Sequence, residues 1–152
     1  YVILAEKGFF PTSRLKEYDT DGGYLPEHVS KEIPGVEFST GSLGHGLPAG
    51  LGFAFDMKRK KSTRKVYVLM SDGELNEGSN WEAFMFAAHH KLSNVIAIID
   101  NNTFQGYGKT KDILDIEPLE KKFIAFGWDV HRHHDLGELE RGETMLAGSL
   151  SS

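Results

Sequence analysis

Two short apolar runs, each cut off by a polar turn, constrain this chain more than any other feature. Val66-Tyr67-Val68-Leu69-Met70 stops at Ser71-Asp72-Gly73, and Val95-Ile96-Ala97-Ile98-Ile99 stops at Asp100-Asn101-Asn102. Continuous apolar runs of this length read as strands buried on both faces of a sheet. Between them Trp81, Phe84, Met85 and Ala88 recur at helical spacing, which predicts a helix running to about Leu92. Strand, helix, strand in this order predicts an α/β fold: a parallel sheet with right-handed crossovers and helices on both faces. Further on, Pro118 opens a helix carrying Leu119, Phe123 and Phe126 that Gly127 stops, and Trp128 to His131 reads as a third, shorter strand. Leu136 to Leu146 reads as a last helix, weakened by Gly137 and Gly142, and Gly148 to Ser152 as a frayed tail.

The first third of the chain is less regular. Tyr1 to Ala5 is apolar and predicts a helix ending at Gly8. Thr12 or Ser13 is placed to cap a short helix through about Tyr18. Residues 19–35 hold Gly22, Gly23, Pro26, Pro34 and Gly35, and read as a long irregular loop of the kind that often carries function. Leu47, Leu51, Ala54 and Phe55 then predict a helix from about Leu43 to Lys60, whose basic end, Lys58 to Lys61, complements the helix dipole. The whole chain, residues 1–152, reads as a single domain. An apolar content of 39% over 152 residues is enough to bury a core without staples. With 17 basic against 22 acidic residues, the net charge of −5 argues against a nucleic-acid binder. The absence of cysteine excludes disulfides, iron–sulfur clusters and cysteine zinc sites, and fits a reducing cytoplasm. No apolar run reaches the 18 or so residues of a membrane span, and the first residues carry neither the basic leader nor the cleavage site of a signal peptide.

In an open parallel sheet, ligands bind beyond the carboxyl ends of the strands. Asp72 and Asn102 stand there, 30 positions apart, one strand–helix–strand step. If the strands are neighbours their ends lie roughly 5 Å apart. A carboxylate and a carboxamide are hard oxygen ligands, suited with a backbone carbonyl, waters and a phosphate to magnesium. A helix after Gly73 would add amide donors for that phosphate. Asp-Gly and Asn-Asn are also ordinary turn formers, which is the competing reading. The loop Gly41-Ser42-Leu43-Gly44-His45-Gly46 precedes a helix and would let backbone approach a ligand. It lacks the acidic residue of a dinucleotide fingerprint and the GxxxxGK[ST] of a Walker loop. His45 either touches a diphosphate or caps the helix that follows. His131, His133 and His134, with Asp135 adjacent, read as a polar strand exit and not as a zinc site. His89 and His90 read as helix-face residues, and Trp81, Phe84 and Phe86 as packing and not as a base-stacking platform.

Taken together, Ser71-Asp72-Gly73-Glu74-Leu75-Asn76-Glu77-Gly78 and Asp100-Asn101-Asn102 resemble the thiamine-diphosphate motif, and within that superfamily the transketolases. Leu25-Pro26-Glu27-His28, Pro34-Gly35-Val36-Glu37, Thr40 to Gly46 and Ala125-Phe126-Gly127-Trp128 follow in transketolase order. The resemblance covers residues 1 to about 130; residues 131–152 match poorly. It implies the thiamine-diphosphate-binding fold, incomplete here, with thiamine diphosphate and Mg2+ (or Ca2+) as cofactors. Asp72, Asn102 and the backbone carbonyl of Phe104 are then the metal ligands. Gly73 lies against the diphosphate, Glu74 is a further cofactor-binding residue, and Gly41, Ser42 and Leu43 line the thiazolium side. His28 matches a histidine that binds the donor ketose, and Glu77 a glutamate that meets its counterpart across a dimer interface. Ser71 departs from the family by replacing the first glycine of the motif. The activating glutamate of the family belongs to a pyrimidine-binding domain. The resemblance therefore implies half of a two-carbon ketol transferase acting on sugar phosphates in the cytoplasm, forming homo-oligomers and inactive without a pyrimidine-binding partner. A non-catalytic thiamine-diphosphate-binding module or a truncated fragment is the alternative, and an unrelated nucleotide-binding α/β domain a third.

Overall fold

The computed structural model describes residues 1–133 and 144–150. The chain divides into two compact units, Tyr1–Ser42 and Leu43–Ser152. In the first, α1 (Val2–Glu6) runs out at Lys7, and Gly8 takes φ +81, the left-handed conformation that ends helices. A 3-10 helix over Thr12–Glu17 replaces the short capped helix expected there. Pro11 holds its cap position and no side chain caps it. Residues 19–35 contain no helix or named strand, only an isolated bridge from Tyr18 to Leu25. This loop is nevertheless anchored, because Leu25 and Ile33 join Ala5 and Phe10 in a small core of their own.

The second unit is the α/β part. Its elements are α2 (Gly46–Arg59), β1 (Val66–Ser71), a 3-10 helix Gly73–Asn76, α3 (Gly78–His89), β2 (Val95–Asn101), β3 (Phe104–Gln105), β4 (Gly108–Lys109), α4 (Thr110–Ile113), α5 (Leu119–Ala125), β5 (Trp128–His133) and β6 (Thr144–Leu150). α2 begins at Gly46 and not at Leu43 because Gly44 sits at φ +82, outside the helical region. The expected parallel pair is there: β1 and β2 run side by side from Val66↔Val95 to Ser71↔Asp100.

The sheet is mixed, however, and not wholly parallel. Its order is β1-β2-β6-β5, and β6 is antiparallel to both β2 and β5. Thr144 to Leu146, expected at the end of a helix, are therefore strand, and so are Gly148 to Leu150 of the expected frayed tail. The physical reason is long-range: β2 and β5 each have an edge whose backbone groups need partners, and a strand between them satisfies both. The rest of the expected last helix, residues 136–143, lies outside the described residues.

A second correction concerns burial. Val68 and Met70 of β1 are buried in the core, while Tyr67 and Leu69 on the opposite face are 64% and 72% exposed. β1 is thus buried on one face in this chain. The core lies on the other side, where Leu47, Leu51 and Ala54 of α2 meet Val68, Met70, Val95 and Ile99. Phe84 of α3 fills its centre, with ring centroids 4.6 Å from Phe123 and 5.1 Å from Trp128. Trp81 stacks on Phe123 at 5.8 Å, so these aromatics are packing residues, as expected. Phe86 lies at the edge of this packing, 43% exposed, against Phe55 and His90. Among the described residues no helix is long and apolar enough to cross a membrane.

Candidate cofactor site

The carboxyl ends of β1 and β2 are locked together. Ser71 pairs with Asp100, and the Asp72 N–H donates to the Asp100 carbonyl at 3.1 Å. Asp72 follows directly and is fully buried. A buried carboxylate is costly unless its oxygens find donors, and both do. Oδ1 accepts the Gly73 N–H at 2.7 Å, and Oδ2 accepts the Thr110 hydroxyl at 2.8 Å. Thr110, itself buried, also donates its N–H to the carbonyl of Thr103 at 2.9 Å. One residue thus ties the Asp72 carboxylate to the loop that follows β2.

Asn102 lies in that loop, next to Thr103, which has φ +68. Its Oδ1 accepts the Phe104 N–H at 2.9 Å, an Asx turn that fixes the carboxamide, and Phe104 pairs with Lys109 in the β3–β4 hairpin. Gly73 is pressed against this hairpin: a Cβ there would stand 2.8 Å from that of Gln105. Gln105 in turn donates to Asn76 Oδ1 at 3.2 Å. A cavity of about 480 Å³ adjoins, lined in part by Asn101, Thr103, Phe104, Lys109, Thr110 and Lys111.

The donor set fits a hard divalent cation. An ionised carboxylate has about four lone-pair sites and a carboxamide oxygen two, so the bonds above leave acceptor capacity on Asp72 and Asn102. Carboxylate, carboxamide and backbone carbonyl are the ligands magnesium takes beside phosphate and water. Among the described residues no group of three His, Asp or Glu side chains is arranged to hold a metal. The helix expected directly after Gly73 is a single 3-10 turn, and α3 begins only at Gly78.

Within the second unit, the Asp72 turn also reaches Gly44, ahead of α2. Glu74, 9% exposed, turns its Oε1 onto the Gly44 N–H at 3.0 Å, and Ser79 Oγ donates to the Gly44 carbonyl at 2.7 Å. Leu43 is half exposed, and Glu77 is exposed at the start of α3. His45 occupies the cap position of α2 without a side-chain cap bond, so the capping role is not realised. His28, Gly41 and Ser42 belong to the first unit. There His28 packs against Gly41, whose φ of +133 and lack of room for a Cβ beside the imidazole both call for glycine. The Thr40 N–H to Val29 carbonyl bond, at 3.0 Å, closes that pairing. His28 remains largely exposed, its Nδ1 3.7 Å from Glu27 Oε2. His90 packs on Phe55 and Phe86, and His131 lies 3.4 Å from Asp129; His134 and Asp135 lie outside the described residues.

Thr110, Gln105 and Ser79 were not singled out by the sequence. Nothing in a spacing of 38 residues marks Thr110 as the partner of Asp72. Thr110→Val keeps the shape but removes the hydroxyl, leaving a buried carboxylate oxygen short of a donor. Such a loss costs about 1–3 kcal/mol. Urea unfolding at pH 7 is expected to show it as a lower midpoint with an unchanged slope; an unchanged midpoint would mean that water replaces the hydroxyl without cost.

Residues 1–147 match the family model described as transketolase, thiamine diphosphate binding domain. The chain belongs to the transketolase family. It is 52% identical over 132 residues to one of the subunits of the apulose-4-phosphate transketolase of Actinobacillus succinogenes, a match covering 86% of this chain and 48% of the relative. It is 40% identical over 131 residues to a 6-deoxy-6-sulfo-D-fructose transketolase subunit of a Clostridium strain, again covering 86% and 48%. The chain spans about half the length of these relatives. The transketolase crystal structure from Campylobacter jejuni superposes with a TM-score of 0.70 at 33% identity, over 76% of this chain and 19% of that one. As a transketolase-family chain it carries the thiamine-diphosphate-binding domain, and its α/β architecture is that of its structural neighbours.

Proposed function

We propose that this chain is the diphosphate-binding half of a ketol transferase that moves a two-carbon unit between sugar phosphates in the cytoplasm. In this reading it holds magnesium and thiamine diphosphate and works with a pyrimidine-binding domain or subunit. The observation that carries the reading is the buried Asp72 at two adjacent strand ends, tied through Thr110 to the Asn102 loop, within a family match along residues 1–147. The names of the two relatives support the partner and the substrate class: both proteins are subunits, one for a sugar phosphate and one for a sulfonated sugar.

Asp72, Asn102 and the Phe104 carbonyl would hold the cation, which neutralises the diphosphate. Gly73 would let the backbone approach it. Bound thiamine diphosphate supplies the covalent carrier for the two-carbon unit, while the protein supplies binding and orientation. His28 is the residue of this chain suited to donate a hydrogen bond to an alkoxide developing on the donor sugar. Calorimetric titration with thiamine diphosphate, with and without magnesium, tests the reading. Saturable binding that requires the metal is expected; no heat of binding in either case overturns it.

Assembly is the second expectation. Phe53 on α2 and Met85 and Phe86 on α3 are 51%, 49% and 43% exposed, and Glu77 stands in solvent at the start of α3. Apolar exposure of this kind marks interaction surfaces. Sedimentation is expected to show self-association at micromolar concentration, weakened by Phe86→Asp. A sharp monomer boundary at every concentration overturns this part of the proposal.

A further inference from the structure

The glycine loop ahead of α2 is held by side chains from outside it. Gly41, Gly44 and Gly46 lie within six residues, and fixing glycine backbone costs more conformational entropy than fixing any other residue. Gly44 is moreover at φ +82, and a Cβ there would stand 2.5 Å from Ser79 Oγ and 2.7 Å from Glu77 Cβ. The brace consists of two side chains. Glu74 Oε1 accepts the Gly44 N–H at 3.0 Å, and Ser79 Oγ donates to the Gly44 carbonyl at 2.7 Å. The N–H belongs to the peptide plane before the Gly44 Cα and the carbonyl to the plane after it. Holding both planes fixes both dihedrals of that residue.

Glu74 is itself rigidly presented. Its N–H donates to Ser71 Oγ at 3.1 Å. Its carbonyl accepts Asn80 Nδ2 at 2.7 Å and the Glu77 N–H at 3.1 Å. Asn80 is fully buried. The braced residue is therefore attached to the turn that carries Asp72, two positions earlier, and to the N-terminus of α3.

We propose that Glu74 and Ser79 are positioning residues: they clamp Gly44 and make residues 43–46 of the glycine loop and the Asp72 turn, both in the second unit, one preorganised element, with Glu74 acting on the loop and not as a ligand of the cofactor. The clamp rests on the reading of this region as the thiamine-diphosphate site. Its function is to spare cofactor binding the ordering of a glycine-rich segment, since a loop held in its bound conformation loses less entropy on binding. A hydrogen-bond acceptor is all that Gly44 requires of residue 74, so glutamine can replace glutamate there, whereas a metal or phosphate contact depends on the charge.

The test reads the clamp and the cofactor separately. In the metal-free chain, amide exchange at Gly44, followed by NMR, is expected to accelerate at least about tenfold in Glu74→Ala and in Ser79→Ala. In Glu74→Gln it is expected to stay within about threefold of the parent. Titration of the same proteins with thiamine diphosphate and magnesium is expected to show a Kd raised by about 10- to 100-fold in the two alanine variants, the range for removing a supporting residue, and rescue in Glu74→Gln. Gly44 exchange that is unchanged in both alanine variants overturns the clamp. Binding lost equally in Glu74→Gln and Glu74→Ala, with Gly44 protection retained in Glu74→Gln, overturns the positioning role in favour of a direct charge contact. Should Glu74→Ala fail to fold, Ser79→Ala and Glu74→Gln still decide the matter. A parent chain that binds no thiamine diphosphate defeats the cofactor reading alone, because the exchange measurement does not depend on it.

Discussion

Asp72→Ala is expected to weaken magnesium-dependent binding of thiamine diphosphate by more than about 100-fold. Loss of a supporting residue outside the metal shell costs about 10–100-fold, and in the proposed site Asp72 is the only charged ligand. The remaining oxygens, from Asn102 and the Phe104 backbone, are neutral and cannot offset the positive charge of the ion. Calorimetry with magnesium in excess checks this directly. The substitution also strips the Gly73 N–H and the Thr110 hydroxyl of their acceptor, so circular dichroism and a melting curve must accompany it. Asp72→Asn keeps the shape and one oxygen acceptor while removing the charge, and is expected to bind nearly as poorly. Equal affinity in Asp72→Asn and the parent, or binding by the parent in the presence of a chelator, overturns the metal assignment.

A polypeptide of these 152 residues is expected to transfer ketol units poorly on its own, and adding a pyrimidine-binding partner to raise turnover by about 100- to 10,000-fold. That is the usual range for a positioned general acid or base. The resemblance assigns that role to a carboxylate of the pyrimidine-binding domain. Glu77 is no substitute, for it stands exposed at the start of α3, and Glu74 is already engaged with Gly44. Completing the substrate site also adds positioning. An assay with a ketose donor and an aldose acceptor, run with and without partner, measures the effect. In the completed enzyme, His28→Ala is expected to lower kcat/KM for the donor while leaving the Kd for thiamine diphosphate unchanged. Full turnover by the isolated chain would mean that another carboxylate of this chain does the work. Unchanged kcat/KM in His28→Ala would remove the donor-binding role from that residue.

Several features were legible residue by residue. The two apolar runs gave β1 and β2 in parallel register, because a run of β-branched and aliphatic residues closed by a turn has few other folded outcomes. Gly8 and Gly127 marked helix ends correctly, at φ +81 and +85, since only glycine takes that conformation without strain. The motif from Asp72 to Asn102 located the carboxyl ends of neighbouring strands and the family to which the chain belongs. The contact between His28 and Gly41, by contrast, comes from the fold of the first unit and was not marked by their spacing.

Periodicity thus sets which face of a helix is apolar, composition where a strand stops, glycine where the chain reverses, and the order strand–helix–strand the parallel pairing of β1 with β2. Left to the tertiary structure were the strand that fills the space between β2 and β5 and the donors that reach a buried acceptor. β6 is a strand because β2 and β5 both offer it unsatisfied backbone, an arrangement that no property of residues 144–150 encodes. Leu69 is exposed because the core of this chain forms on one side of β1, although its side chain is as apolar as those of its buried neighbours Val68 and Met70. Thr110 reaches Asp72 across 38 residues, and Glu74 reaches Gly44 across 30. These contacts depend on where the folded backbone brings the two ends of a hydrogen bond, and a buried charge accepts whichever donor the fold delivers.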